Sequence, residues 1–307
     1  MKWKTGVKNH MSKQLAYTVF RPAGELRAAL FIVHGMQEHQ ERYEKFAHYL
    51  NDRGIGVVTY DLPGHGKTDP EEENRGWFGS ERGWMNLVSS AVDIAVLTRK
   101  EFPKVPLIYF GHSMGTMVAR TFLQKYDQLI DAMVLSGAPN YQPAAALGKT
   151  IAAAVCKAKG EKGHSALLDT LATGSFNKAV SDPRTPLDWL SYNEENVDRY
   201  IADPDCGFPF TCRGYYDLFT GMVQMNRVKD YMCTKKDLPI YFVAGEDDPC
   251  TGGIEGLNSS VDTLHKAGYE HIDLKQYPHM RHETLQEKDN EAVMADIEGW
   301  LEENVIR

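Results

Sequence analysis

Short apolar runs alternate with amphipathic stretches along most of this 307-residue chain. Runs rich in Val, Ile, Leu, Tyr and Phe predict strands at Leu15–Phe20, Ala28–Val33, Gly56–Tyr60, Leu107–Phe110, Ala132–Leu135, Ile240–Ala244 and Ile272–Tyr277. Apolar positions at helical spacing predict helices over Glu41–Asp52, Trp84–Lys100, Met114–Lys125, Ser259–Lys266 and Asn290–Glu303. Strands alternating with crossover helices specify the α/β class, with a mostly parallel sheet. From about Pro139 to Lys236 the pattern changes to short helical pieces. Pro183, Pro186, Pro204 and Pro209 break it, and Gly207, Gly214 and Gly221 lie between them. The expected organisation is a core of residues 1–138 and 237–307 with a mainly helical cap inserted at 139–236.

Composition narrows the function classes. A chain of this length with 42% hydrophobic residues can bury one large core. A formal charge of −8 gives no footprint for nucleic acid or an anionic membrane surface. Met1–Lys13 is polar and basic without an apolar stretch, so it does not read as a signal peptide, and no run reaches the roughly eighteen apolar residues of a membrane span. The expectation is a cytoplasmic protein with at most transient membrane contact. Five cysteines without C-x-x-C spacing argue against both a disulfide framework and a zinc site. Reduced thiols, no metal and no cofactor are expected.

The chemistry starts at Gly111-His112-Ser113-Met114-Gly115, which follows an apolar strand and precedes a helix. This is the strand–turn–helix context in which G-x-S-x-G presents a nucleophile, and it displaces the simpler reading of Ser113 as a helix cap. A serine needs a base oriented by a carboxylate, and here those should follow in the order Ser, Asp or Glu, His. Gly245-Glu246-Asp247-Asp248-Pro249 ends a strand and supplies the acid. Of the four later histidines, His265 falls in a helix and His271 leads into a strand, which leaves His279 and His282, with His282 favoured. Backbone N–H groups of Met36, after the Phe31–Val33 strand, and of Met114 are the expected oxyanion donors.

Taken together, these stretches resemble the monoacylglycerol lipase and lysophospholipase branch of the α/β-hydrolases, a branch that includes serine aminopeptidase-like hydrolases. The resemblance rests on His34-Gly35-Met36-Gln37-Glu38-His39 with Arg42-Tyr43, on Asp61-Leu62-Pro63-Gly64-His65-Gly66, on the serine motif, on the G-x-x-D stretch Gly245–Asp248, and on Arg281-His282-Glu283. It implies Ser113 as nucleophile, Asp248 as acid and His282 as base, with His34, His39, His65 and His112 shaping the surrounding loops. Gln37 stands where the family usually has Gly, and Thr116 where a second Gly often follows.

The implied activity is hydrolysis of a small-molecule acyl ester (a monoacylglycerol, a lysophospholipid or a small carboxylic ester) through an acyl-enzyme. The alternatives are peptide or amide hydrolysis, acyl transfer, and a non-catalytic binding protein on the same scaffold. Substrate selection is expected from the cap aromatics and methionines, above all Phe208, Phe210, Tyr215, Phe219 and Met222. Each could equally pack the cap onto the sheet. Ala144–Val155, small and apolar apart from Lys149, reads as a helix that is buried or else touches an acyl chain.

Overall fold

The computed structural model describes residues 2–10 and 13–306; Met1, Met11 and Ser12, within the stretch read above as no signal peptide, and Arg307 lie outside it. Eight strands form one sheet: β1 Lys2–His10, β2 Lys13–Arg21, β3 Ala28–Val33, β4 Ile55–Tyr60, β5 Leu107–His112, β6 Ala132–Ser136, β7 Ile240–Gly245 and β8 Ile272–Tyr277. Their order is β1-β2-β4-β3-β5-β6-β7-β8. β1 and β2 run antiparallel at one edge, and every pairing from β4 to β8 is parallel. β1 is an addition to the expected strands. Its charged and polar sequence gives no apolar run, and the side chains of Trp3 and Val7 stand exposed at the sheet edge.

The central strands β3 to β6 are buried at every position, and mostly apolar, because both faces are covered. On one face Ala29, Phe31, Val33 and Tyr109 meet Trp84, Leu87 and Ile94 of α2 (Gly83–Glu101) and Val118 and Phe122 of α3 (Met114–Tyr126). On the other, Leu30, Ile32, Ile108 and Phe110 meet Phe46 and Leu50 of α1 (Glu44–Asn51) and Val293, Ile297 and Leu301 of the C-terminal helix Asn290–Asn304. A one-residue change of register would swap the two faces, so this double burial fixes the pairing and with it the height of every loop at the carboxyl edge.

Between β6 and β7 lie four helices: α4 Ala145–Lys159, α5 Ala166–Thr173, α6 Glu194–Ala202 and α7 Cys212–Met225. After β7 come α8 (Gly253–Ala267) and α9, the C-terminal helix. α4 is not the buried helix that its composition suggests. It buries Ala145, Gly148 and Ala152 and leaves Leu147 exposed, because only one face packs, with Gly148 against the Phe219 ring of α7. All five cysteines are free thiols. Among the described residues no helix is long and apolar enough to cross a membrane.

Candidate active site

β5 delivers the chain to Ser113 at φ +50°, a conformation costly for any residue with a Cβ, and α3 begins at the next residue. The turn closes because its neighbours lack side chains: a Cβ on Gly115 would overlap the Val33 carbonyl, and one on Gly111 would lie 2.8 Å from the Gly115 oxygen. Hydrogen bonds hold the strained backbone. Ser113 N–H donates to Ser136 O (2.9 Å), and Thr116 donates to Ser113 O from its amide (2.9 Å) and its hydroxyl (2.7 Å). Thr116, the departure noted in the sequence, thus ties the turn through a hydroxyl that glycine lacks.

Past β7 the two acid candidates separate. Asp247 is exposed and accepts from the Tyr192 hydroxyl at 3.0 Å. Asp248 is buried; its Oδ1 accepts from Cys250 N–H (2.8 Å), and its Oδ2 accepts from His282 Nδ1–H (2.9 Å). The histidines separate in the same way: His279 is exposed at φ +53°, whereas His282 is 2% exposed and shares a cavity wall with Ser113. Burial alone would lower the basicity of His282. The Asp248 charge outweighs it and, with the Asp248 and Cys250 contacts, holds the imidazole pKa well above its ordinary value. His112, whose ring lies 4.8 Å from that of His282, is driven down to about 4 by burial and by the His282 charge, so it stays neutral. The Trp189 ring lies tilted against that of His282, with centroids 5.0 Å apart.

The loop after β3 lies against Ser113, since a Cβ on Gly35 would sit 3.1 Å from the serine Cβ. Its backbone donors can be counted. Gly35 N–H donates to Glu38 Oε1 (2.6 Å) and Gln37 N–H to His65 Nε2 (3.3 Å). Between them the Met36 N–H has no partner among the described residues, and neither does the Met114 N–H at the first turn of α3. His34 and His65 act as acceptors in this scheme. His34 Nε2 accepts from Leu62 N–H (3.0 Å), and burial lowers the pKa of both His34 and His65.

A buried ion cluster absent from the residue-level reading joins this loop to the His282 loop. Arg42 donates to Glu38 (2.8 Å) and, through both terminal nitrogens, to Glu283 (2.6 and 2.7 Å). Asn196 bonds Arg42 and Glu283, and the Tyr43 hydroxyl donates to Glu38 Oε1 (2.8 Å). The signal was available: Glu38 and Arg42 are four apart, and Glu283 directly follows the base candidate.

Ser113 and His282 open onto a cavity of about 900 Å³. Leu147 and Ile151 of α4, Leu171 of α5 and Leu218, Phe219 and Met222 of α7 give it an apolar wall. Phe219 and Met222 therefore line it as expected residues, and Phe208, Phe210 and Tyr215 do not. The helical turn of α7 points Tyr215 to the Asp169 carboxylate, while Phe208 and Phe210 pack edge-on to His65 at 5.4 Å each. Among the described residues two clusters bring ligand-type atoms within 4.8 Å of one another: Asp248, Cys250 and His282, and His39, Asp203 and Cys206. In each the histidine already bonds the carboxylate at 2.9 Å, and burial pushes the Cys250 thiol up to about 11, away from the thiolate a metal needs.

Residues 24–289 match the family model described as serine aminopeptidase, S33. The chain is 25% identical over 294 residues to the monoacylglycerol lipase of Mycolicibacterium smegmatis, covering 94% of this chain and 92% of that protein. It is 25% identical over 293 residues to the monoglyceride lipase of Mus musculus, covering 93% and 86%. Among solved structures, a thermostable carboxyl esterase from Bacillus coagulans in complex with glycerol superposes with a TM-score of 0.87 at 25% identity, covering 97% of this chain and 99% of that one.

Proposed function

As the chain belongs to the serine aminopeptidase S33 family, we propose that it is a serine hydrolase cleaving acyl esters, monoacylglycerols foremost, through an acyl-enzyme. The observation that carries the reading is one cavity onto which both Ser113 and His282 open, with His282 bound through Nδ1 to buried Asp248. In this mechanism Ser113 Oγ attacks the ester carbonyl as His282 Nε2 takes its proton. Asp248 fixes the tautomer and stabilises the imidazolium that forms as the proton moves. The N–H groups of Met36 and Met114 receive the oxyanion, helped by the positive end of α3. His282 then protonates the departing alcohol, and a water activated by the same imidazole releases the acid.

Two features support an apolar acyl group and an ester. The apolar wall suits a hydrocarbon chain. An aminopeptidase would need a free carboxylate for the substrate ammonium; of the carboxylates lining the cavity, Glu38 and Glu283 are already bound by Arg42 and Asp169 accepts from the Tyr215 hydroxyl. The test is a panel of monoacylglycerols, lysophospholipids and p-nitrophenyl esters beside aminoacyl amides of matching size. Turnover of esters with little turnover of amides is expected; preference for the amides would overturn the reading.

A further inference from the structure

Gln37 holds φ at +59°, a region that glycine adopts freely and residues with side chains rarely do. Its backbone is fully engaged: N–H to His65 Nε2 (3.3 Å), and carbonyl to the Tyr200 hydroxyl (2.7 Å) and Gly207 N–H (3.0 Å). A glycine would make all three bonds without the strain, so they do not account for the side chain. Gln37 is half-buried and is among the residues lining the cavity, one beyond Met36, and its carboxamide has no hydrogen-bond partner among the described residues. The next polar group on this loop is already occupied, since Glu38 accepts from Gly35, Tyr43 and Arg42. A strained residue with an uncommitted donor and acceptor beside the reaction centre makes sense where the ligand supplies the partner.

An acyl chain finds its match on the apolar wall of α4, α5 and α7, which leaves the alcohol portion of the ester to be recognised by polar groups near Ser113. We infer that Gln37 is a specificity-determining residue whose carboxamide hydrogen-bonds the free hydroxyls of a hydroxylated alcohol group. This rests on the ester-hydrolase reading above and deepens it.

The test compares 1-monodecanoylglycerol with methyl decanoate, which shares the acyl chain and lacks the hydroxyls, in the wild type, Gln37→Leu and Gln37→Gly. Losing one neutral hydrogen bond should lower the ratio of kcat/KM for the glyceryl ester over the methyl ester by roughly tenfold in both variants, chiefly through KM. Gln37→Gly, free of the φ strain, should melt no lower than the wild type, so that unfolding is not the cause. A ratio within about twofold of the wild type in both variants overturns the inference. An equal fall on both esters also overturns it, because that marks a disturbance of the adjacent Met36 amide. A wild type that cleaves neither ester overturns the underlying reading as well.

Discussion

Replacing Arg42 by Met keeps an apolar stem of similar length and leaves Glu38 and Glu283 buried with no cation between them. Their side chains are 3% and 4% exposed. In the native protein burial would raise the Glu38 carboxyl, but Arg42 above all, with the Gly35 N–H, brings it from 4.5 down to about 2. Glu283 is lowered in the same way by Arg42 against its own burial. A carboxyl depressed to that extent contributes about 3 kcal/mol of stability, present in full above its unfolded value and lost as pH falls from about 4.5 toward 2. Without Arg42 the sign reverses. Burial and mutual repulsion then raise both carboxyls above their unfolded values, so the variant loses stability as pH rises through the raised values. Breaking a buried pair from one side costs about 3–5 kcal/mol, which at this chain length is roughly 5–8 °C in Tm at pH 7. Thermal melts of wild type and Arg42→Met between pH 4.5 and 8 measure it. The deficit should be widest near neutrality and shrink toward pH 4.5. A variant melting within about 2 °C of the wild type at pH 7, or one whose deficit grows on acidification, refutes the argument.

Asp248→Asn should lower kcat by on the order of ten-thousandfold, because an amide favours the wrong imidazole tautomer. Asp247→Asn, at an exposed carboxylate bonded to Tyr192 alone among the described residues, should stay within about tenfold of the wild type. Steady-state kinetics on one ester, with melts to verify folding, separates the two, and the reverse ranking would reassign the acid. Met222→Trp adds bulk to the apolar wall of the cavity and should shift the preferred p-nitrophenyl ester toward shorter acyl chains. An unchanged chain-length profile would move acyl binding away from α7.

The sheet was legible wherever burial on both faces writes a continuous apolar run, as in Ala28–Val33 and Leu107–Phe110. β1 was not, because an edge strand needs no such run and its polar, basic residues offered none. The serine turn was legible because its geometry restricts the residue types: only glycines fit where Gly111 and Gly115 approach backbone. Chain order alone left Asp247 and Asp248 open, as it left His279 and His282. Which of two adjacent side chains turns inward depends on the path of a loop, and that path is set by contacts such as Gly245 against Met280 rather than by local pattern. The aromatic cluster divides for a related reason. Phe208 and Phe210 precede α7 and pack under the loop that holds His65, while residues a few positions on face the cavity; composition is the same on both sides of that boundary. The Arg42 cluster joins residues 241 positions apart, a distance at which no sequence window pairs them.

Ester cleavage at this site depends most on Ser113 as an activated nucleophile. Incubation with a fluorophosphonate, followed by peptide mapping and residual ester hydrolysis, tests this directly, since only a serine with a working base attacks phosphorus readily. One adduct on the peptide bearing Ser113, with activity falling in step, and no adduct in Ser113→Ala is the expected result. An adduct on another serine, or a Ser113→Ala variant that labels and hydrolyses like the wild type, would contradict it.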